Sequence, residues 1–360
     1  MTSIAKIVLP LLVLGVLGLS PDVADAQSCR ADPEQPKCLD GGGDGGGKPG
    51  GKPDGDGGDG GTGGLPPTYS WMHPDIGLAF DADTFGGSFT GKGANIVILD
   101  NFTRGSRLRG NLRDRRERLY HGEWTSLQAQ LVAPDANPVD VSNNIADDPA
   151  STTINSYFTD GALNVVNLSF GLLDEAGTDV DAPGYELGTT LWDSVVTGAR
   201  AGDAVYVKAA GNEGGAAIDG TFSGLLYGIS GSAQDSLNLQ LIGAQGAIFV
   251  GALNSDGTVD DKATLASYST YSGNAASGQY LVVGVDSSST GLSGTSFAAP
   301  IVSGYAAIIG DKFDTASPVQ IVDQLLGTAR EDTISGYNSS IHGQGEACLG
   351  CALSPAEIPN

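Results

Sequence analysis

The sequence predicts an α/β protein with three layers, in which helices cover both faces of a mostly parallel central sheet. Short β-branched runs alternate with longer amphipathic segments from about Trp71 onward, and such alternation is typical of βαβ units. The β-branched runs are almost wholly apolar, as strands of a parallel sheet are when both faces are buried. With 360 residues and 40% hydrophobic side chains, the chain can form one large domain or two ordinary ones around a sizeable core.

Five apolar runs are predicted as buried strands, and three longer segments between and after them as helices. The strand runs are ANIVILD (94–100), ALNVVNLSFG (162–171), DAVYVKAAGN (203–212), GAIFVGAL (246–253) and YLVVGV (280–285). The clearest helical segments cover residues 187–201, 296–310 and 318–329. In open parallel sheets the chemistry gathers at the carboxyl ends of the strands, and Asp100 and Asn212 fall at such ends.

The first 26 residues have the organisation of a secretion signal. Lys6 precedes the 13-residue apolar run IVLPLLVLGVLGL, and Ala24-Asp25-Ala26 is a small-x-small cleavage pattern. The apolar run is shorter than the roughly 20 residues that a membrane-spanning helix needs. We therefore predict a signal peptide over 1–26, a protein secreted to the cell envelope, periplasm or medium, and no stable membrane span after cleavage.

The remaining chain divides by composition into three parts. Residues 27–68 combine a short cysteine-bearing segment with the linker GGGDGGGKPGGKPDGDGGDGGTGG (41–64), which has no apolar residue to bury. One folded domain is predicted over 69–346, and a tail containing a Cys-x-x-Cys pattern over 347–360.

The four cysteines lie only at the two ends of the chain, at Cys29, Cys38, Cys348 and Cys351. Export permits disulfides, and four cysteines allow three pairings. Local pairs are the simplest, although a bridge within CLGC closes a very tight loop, and cross-links between the two ends are an alternative. A metal or redox role for the Cys-x-x-Cys pattern is disfavoured because no histidine or second close pair accompanies it.

The formal net charge of −24 restricts the partners of this protein. Nucleic acid and anionic membrane surfaces would both repel such a chain. The charge indicates solubility and says nothing about the fold.

Ser296 stands in LSGTSFAAPIVSG, directly before an apolar segment that reads as a helix. A serine in this position is a favoured helix N-cap, and it is also where an exposed nucleophile could sit. His121 in YHGEWTSLQAQLVAPDA is the outstanding candidate base among three histidines, although a lone surface histidine is the default interpretation of any one of them.

Taken together, five stretches resemble the motifs of the subtilisin-like serine peptidases, the subtilase family, in order and in kind. They are GKGANIVILDNF around Asp100, HGEWTSLQAQLVAPDA from His121, VVNLSFG, AAGNEG around Asn212, and GTSFAAPIVSG around Ser296. The resemblance runs from about Trp71 to the 340s and implies that the domain over 69–346 is a peptidase domain with a subtilisin-like fold.

The resemblance implies a catalytic triad of Asp100, His121 and Ser296. A serine hydroxyl becomes a good nucleophile when an imidazole removes its proton, and a carboxylate fixes the tautomer of that imidazole and stabilises its charged form. The amide of Asn212 and the backbone N–H of Ser296 would stabilise the oxygen that gains charge in the transition state.

The resemblance also implies substrate-binding residues. Leu168, Ser169, Phe170 and Gly171 would align an extended substrate by strand addition, with Phe170 near the pocket for the residue before the cut bond. Ala209, Ala210 and Gly211 would line that pocket, and Glu213 would lie at its rim. For Phe170 the alternative is ordinary core packing.

Two departures from the family pattern lie near the proposed site. Leu127 replaces a small residue on the catalytic helix, and the interval between Asp100 and His121 is shorter than usual. That interval carries seven of the 18 basic residues: Arg104, Arg107, Arg109, Arg113, Arg115, Arg116 and Arg118. They form either a solvated loop with Asp114 and Glu117 as local partners, or a positive surface that selects acidic substrates or docks the acidic linker.

The function predicted from these motifs is a secreted serine endopeptidase that acts on polypeptides, as a monomer and without a cofactor in the chemistry. Calcium, common in the family, is a possible structural ion with no site fixed by the sequence. The alternative is a catalytically impaired pseudoenzyme that binds peptides on the same fold. A serine esterase on another fold is disfavoured because Ser296 lacks a Gly-x-Ser-x-Gly elbow.

Overall fold

The centre of the protein is a six-stranded sheet in which every neighbouring pair of strands is parallel. The computed structural model describes residues 7–10, 65–143 and 152–358, which belong to one compact unit. In chain order its strands are β1 (Ile7–Pro10), β2 (Ala94–Asp100), β3 (Leu108–Gly110), β4 (Glu117–Leu119), β5 (Asn137–Ser142), β6 (Leu163–Leu168), β7 (Phe170–Glu175), β8 (Val205–Ala209), β9 (Phe222–Ser223), β10 (Ser232–Asp235), β11 (Ala247–Leu253) and β12 (Tyr280–Gly284). The central sheet has the order β12-β11-β8-β6-β2-β5.

Helices cover both faces of this sheet and produce the predicted three layers. They are α1 (Pro74–Phe80), α2 (His121–Val132), α3 (Thr190–Ala201), α4 (Ser236–Leu241), α5 (Ser287–Thr290), α6 (Ala299–Lys312), α7 (Pro318–Gly327), α8 (Ser339–His342) and α9 (Leu349–Leu353). Along β2, Ile96 and Ile98 enter the hydrophobic core shared with α2 and α6, while Val97 and Leu99 enter the core shared with α3 and α4. This alternation follows from the two-residue period of a strand, so β2 is buried throughout.

The predicted helix over 187–201 is confirmed with a slightly later start. The Thr189 hydroxyl accepts a hydrogen bond from the Trp192 N–H, which caps α3, and Gly202 ends it with a φ of 68°. The predicted helix over 318–329 also forms, beginning after the Ser317 cap and ending at Gly327.

The predicted single strand over 162–171 is wrong, because the structure divides it at Ser169 into β6 and β7. β6 stays in the central sheet, whereas β7 joins a second sheet with the order β1-β7-β10-β9. β1, which lies inside the predicted signal peptide, pairs with β7 in antiparallel orientation, with Pro10 opposite Phe170 and Ile7 opposite Leu173.

The first helix of the predicted peptidase domain, α1, contacts the helix of the predicted C-terminal tail, α9. The N–H of Gly350 at the start of α9 donates to Asp75 Oδ2 of α1 over 2.9 Å. Cys348 and Cys351 form a disulfide at the same place, which is the local pairing within CLGC. Cys29 and Cys38 lie outside the described residues, as do most of the predicted signal peptide and the whole linker.

No helix within the described ranges has the length and apolar character needed to cross a membrane.

Candidate active site

Asp100 and His121 are brought together at the carboxyl end of the central sheet. Asp100 is the last residue of β2, and His121 is the first residue of α2. His121 Nδ1 lies 2.7 Å from Asp100 Oδ1, and both side chains are buried. Because the carboxylate accepts, Nδ1 carries the hydrogen, and Nε2 is the nitrogen able to take a proton.

The turn after Asp100 and the start of α2 fit closely against each other. The N–H of Gly122 donates to the carbonyl of Asn101 over 2.8 Å. A Cβ at position 122 would lie 2.9 Å from the Phe102 ring, so only glycine permits this approach. Glu123 accepts from the Tyr120 N–H over 2.6 Å and places a negative charge in the first turn of the helix.

Thr125 is a site residue that the sequence interpretation missed. Its hydroxyl donates to Asp100 Oδ2 over 2.9 Å, while the N–H of Asn101 donates to Asp100 Oδ1 over 2.6 Å. Thr125 follows His121 by four residues, a spacing that places both on one face of a helix. That spacing was the available signal, and it implies that both side chains can reach the same carboxylate.

Ser296 lies in a 3-10 turn, Thr295–Phe297, that precedes α6. The predicted helix over 296–310 is therefore wrong at its start, since α6 begins at Ala299 and ends at Lys312. The Ser296 hydroxyl donates to the carbonyl of Ser169 over 3.2 Å, and α6 has no side-chain cap bond. The N-cap interpretation of Ser296 is not what the structure shows. The turn requires Gly294 at a φ of 126°.

The ring of His121 retains one unsatisfied polar atom. Among the described residues, His121 Nε2 is buried and has no hydrogen-bond partner. The Phe297 ring, next to Ser296, packs at 5.6 Å from the imidazole. A buried orphan acceptor costs free energy, and such groups are common where a reacting proton will be received.

The buried side chains of Asn167, Ser169 and Ser303 form a chain of hydrogen bonds that ends at the backbone carbonyl of Ser296. Asn167 donates to the Ser169 hydroxyl over 2.9 Å, and that hydroxyl donates to the carbonyl of Ser296 over 3.0 Å. The Ser303 hydroxyl of α6 lies 3.2 Å from Asn167 Oδ1. These contacts tie the ends of β6, the start of β7 and α6 to the turn that carries Ser296.

Asn212 follows β8 and is tied to the residue before Ser296. Asn212 Oδ1 accepts from the N–H of Thr295 over 2.9 Å and lies 3.2 Å from the Thr295 hydroxyl. The N–H of Gly211 also bonds to that hydroxyl over 3.1 Å, with Gly211 at a φ of 124°. These contacts fix the carbonyl side of the Asn212 amide toward Thr295.

The predicted substrate-binding residues surround this centre, but most of their side chains are buried. Leu168, Ser169 and Phe170 have no exposed area, and Phe170 belongs to the core beneath α3. The core-packing interpretation therefore describes the Phe170 side chain, while its backbone lies on β7. Gly171 admits no side chain, because a Cβ would lie 2.6 Å from Asp235 Oδ2.

Ala209, the last residue of β8, and Ala210 are fully buried. Glu213, two residues after Gly211, is partly exposed. The Glu213 carboxylate accepts from the Tyr227 hydroxyl over 2.5 Å and from the Thr270 hydroxyl over 3.1 Å. Burial raises the pKa of Glu213 above its usual range.

A buried ion pair next to these residues was not predicted. Lys208 of β8 has no exposed area, and its Nζ donates to Asp235 Oδ2 over 3.3 Å and to the carbonyl of Ala209 over 2.6 Å. Burial lowers the pKa of Lys208, and the Asp235 carboxylate acts in the opposite direction. A lysine inside the run VYVKAAGN was the sequence signal for such a partner.

The arginine-rich interval folds as a hairpin of β3 and β4 between the two elements that carry Asp100 and His121. In the part of the chain that the structure describes, no three His, Cys, Asp or Glu side chains are grouped so that they could hold a metal ion. A structural calcium ion, which the family resemblance makes possible without fixing a site, remains a prediction.

The chain is similar to one family model and to several solved structures. A model of the subtilase family matches residues 126–345, which include Asn212 and Ser296 and begin after Asp100 and His121. No curated protein matches the chain. MycP1 from Mycobacterium smegmatis is 18% identical, with 81% of this chain and 87% of that chain covered and a TM-score of 0.47. The MycP3 protease from the type VII (ESX-3) secretion system is 20% identical, with 80% of this chain and 90% of that chain covered and a TM-score of 0.47. Fervidolysin from Fervidobacterium pennivorans, a keratinolytic enzyme related to subtilisin, is 21% identical, with 79% of this chain and 46% of that chain covered and a TM-score of 0.47.

Proposed function

The chain belongs to the subtilase family, and from this premise we propose that it is a secreted serine endopeptidase using Asp100, His121 and Ser296. The observation that carries the proposal is the buried 2.7 Å bond between Asp100 and His121, which leaves His121 Nε2 without a partner among the described residues. A carboxylate-bound imidazole with an unsatisfied second nitrogen is the arrangement that general-base catalysis requires.

The nucleophile is the Ser296 hydroxyl. It turns from the carbonyl of Ser169 toward His121 Nε2 and gives up its proton there while Oγ attacks the substrate carbonyl carbon. The imidazolium then donates that proton to the leaving amine, and the peptide bond breaks to give an acyl-enzyme. A water molecule, deprotonated by the same nitrogen, hydrolyses the ester and restores the serine.

The developing oxyanion is stabilised by the amide N–H of Asn212 and the backbone N–H of Ser296. Support for this role comes from the bonds that hold Asn212 Oδ1 against Thr295, since they direct the other end of the amide away from that residue. Removal of such a donor in subtilisin costs about 10²–10³ in kcat, and we expect a similar loss for Asn212→Ala.

The substrate binds as an extended strand along β7, in the manner of β-strand addition. In the full chain β1 pairs with β7 from Phe170 to Leu173. Cleavage after Ala26 removes Ile7–Pro10 with the signal peptide and leaves this edge of β7 for a substrate. The substrate can therefore reach β7 only after the signal peptide has been removed.

A peptide-binding pseudoenzyme is the second candidate, and one observation favours it. The Ser296 hydroxyl is bonded to Ser169 in the structure, and no bond between that hydroxyl and His121 Nε2 accompanies it. Leu127, the departure on the catalytic helix, is partly buried against the core, and His121 keeps its bond to Asp100. These last contacts favour the active enzyme, which acts as a monomer and needs no cofactor for the chemistry.

The test is labelling of the secreted protein with a fluorophosphonate probe, followed by casein hydrolysis on the same samples. Wild type is expected to be labelled and to cleave casein, and Ser296→Ala to do neither. Ser335→Ala, which alters an exposed serine, serves as the matched control and should behave as wild type. Folded wild-type protein that is neither labelled nor active would leave the pseudoenzyme as the correct account.

A further inference from the structure

The arginine hairpin, defined as β3, β4 and the residues between them, places two arginines directly opposite each other. Arg109 pairs with Arg118, flanked by Leu108 opposite Leu119. The two leucines pack against the hydrophobic core, so by strand alternation the two arginines point to the other face. Both arginines are exposed. Like charges directly opposite on a strand pair are destabilising, and the hairpin keeps them without any packing need.

The charge of this segment is only partly neutralised by its own residues. Arg113 and Arg115 both bind the Glu117 carboxylate, and this holds the pKa of Glu117 below its usual value. Arg107 lies 4.8 Å above the Tyr120 ring. Within the described residues, no carboxylate forms an ion pair with Arg109 or Arg118. The segment 104–118 therefore has a strong local positive charge in a chain with 42 acidic residues.

The hairpin is fixed against both halves of the candidate active site. The Trp124 indole of α2 donates to the carbonyl of Leu108 over 3.1 Å, one turn after His121. The N–H of Asn111 donates to the carbonyl of Thr290 over 2.8 Å. A Cβ on Gly110 would lie 2.9 Å from Leu292, which precedes Ser296 by four residues. The backbone of the arginine hairpin is therefore held against α2, which carries His121, and against the segment that precedes Ser296.

We propose that Arg109 and Arg118 form a specificity surface that binds acidic side chains of polypeptide substrates next to the cut bond. This rests on the proposed peptidase function and names its substrate class. Charge complementarity at a fixed position beside a site favours substrates of the opposite sign. The remaining surface, which is strongly acidic, repels such substrates, so any preference for them must arise locally.

An acidic substrate fits the surface formed by Arg109 and Arg118 better than the acidic linker of this chain does. The linker 41–64 contains four aspartates but also Lys48 and Lys52, so little net negative charge is available for docking. An acidic substrate segment can present several carboxylates in sequence, and an extended peptide brings alternate side chains to one face.

The experiment compares two quenched fluorescent peptides built on one casein cleavage site. One carries three aspartates on each side of the core, and the other carries three asparagines, which have nearly the same shape. Wild type is expected to show a kcat/KM at least about fivefold higher for the aspartate peptide at low ionic strength. This ratio should shrink toward one between 0.01 M and 1 M salt, as the screening length falls from about 30 Å to about 3 Å.

The ratio identifies the residues responsible. In Arg109→Gln/Arg118→Gln it should fall to within about twofold of one, and in Arg109→Glu/Arg118→Glu it should fall below one. Lys92→Gln/Lys262→Gln, which removes two exposed positive charges elsewhere, should keep the wild-type ratio. Fluorophosphonate labelling of every variant checks that the site has formed, so a failure of the peptidase itself is seen separately.

Three results would overturn the proposal. They are a wild-type ratio near one, an unchanged ratio in the Arg109/Arg118 glutamine variant, and an equal change in the cleavage of both peptides. The last would mean that the hairpin docks something other than substrate, such as the linker.

Discussion

At the scale of single residues, the candidate site depends on hydrogen bonds that fix Asp100 before any substrate arrives. Its two oxygens accept from His121, Asn101 and Thr125, and the carboxylate itself has no exposed area. A buried carboxylate keeps its charge only when such donors replace the water it has lost. Thr125 is therefore expected to act as a positioning residue for Asp100 and, through it, for His121.

Replacing Thr125 tests this role. Thr125→Val keeps the shape and removes the donor to Asp100, so we expect kcat/KM to fall about tenfold or more, since hydrogen bonds to charged groups contribute about 1.5–3 kcal/mol. The acid limb of the kcat/KM pH profile should also move, because a change in Asp100 alters the imidazole bonded to it. Thr125→Ser keeps the hydroxyl and should remain close to wild type. Equal effects of serine and valine would show that the methyl group, rather than the hydroxyl, matters.

At the scale of elements, α2, which begins at His121, packs closely against α6, which follows Ser296. The contact is close because Gly304 of α6 has no side chain where the two helices meet. A Cβ at Gly304 of α6 would lie 2.4 Å from Val132 Cγ1 of α2. A larger residue there would push apart α2, which begins at His121, and α6, which follows Ser296. The close approach of α2 and α6 therefore depends on the absence of a side chain at position 304.

Gly304→Ala is expected to lower the free energy of unfolding by about 1–3 kcal/mol, the usual cost of overpacking, and to reduce activity. Gly327→Ala, at the end of α7, is the matched control, since no atom lies within 4 Å of the position its added methyl group would take. It should be neutral or slightly stabilising, because alanine reduces the freedom of the unfolded chain. Urea unfolding of both variants in the Ser296→Ala background avoids autolysis. A larger loss for Gly327→Ala than for Gly304→Ala would contradict the packing argument.

The element scale also shows what the sequence could and could not predict. β2 was predicted with its observed bounds because an uninterrupted apolar run leaves no ambiguity. The division at Ser169 was missed because it depends on bonds between Ser169 and Ser296, which are 127 residues apart. The late start of α6 has the same origin, since Ser296 binds a distant carbonyl instead of capping its own helix. The motifs located the candidate site residues. Thr125 and Lys208 each had a signal in the sequence, but their partners Asp100 and Asp235 are identified only by tertiary contacts.

At the scale of the whole molecule, carboxyl groups that folding takes out of water determine how the free energy of unfolding depends on pH. Burial raises the pKa values of Glu213, Asp256 and Glu346 above those of free side chains. Glu346 is the clearest case, since its Oε2 is buried without a hydrogen-bond partner among the described residues. Asp332, whose pKa is lowered by Arg330, is exposed and therefore contributes less.

The free energy of unfolding is therefore expected to be higher at pH 5 than at pH 8. A carboxyl whose pKa is raised by folding binds its proton more tightly in the folded state, so stability is lost as the pH rises through the folded pKa. Self-repulsion of the net charge of −24 acts in the same direction. His342, whose pKa is lowered by burial, acts in the opposite direction and is outnumbered by the three carboxyls. Urea unfolding of Ser296→Ala at both pH values measures the difference.

Glu346→Gln should reduce this difference, because it removes one of the three carboxyls whose pKa values are raised by burial. The control is Glu357→Gln, which changes an exposed carboxyl and should leave the difference as it was. Stability that is equal or greater at pH 8 would contradict the assignment, as would identical pH dependence in the two glutamine variants.

The contact between α1 and α9 has a consequence for the timing of biosynthesis. Asp75 and Gly350 are bonded although 275 residues separate them, so the first helix of the domain has no final partner until nearly the whole chain exists. At roughly 5–20 residues per second, the ribosome needs on the order of tens of seconds to cover that distance. During this interval the apolar face of α1, with Ile76 and Phe80, lacks its partner helix. The packing of α1 against α9 is thus completed only after nearly the whole chain has been synthesised.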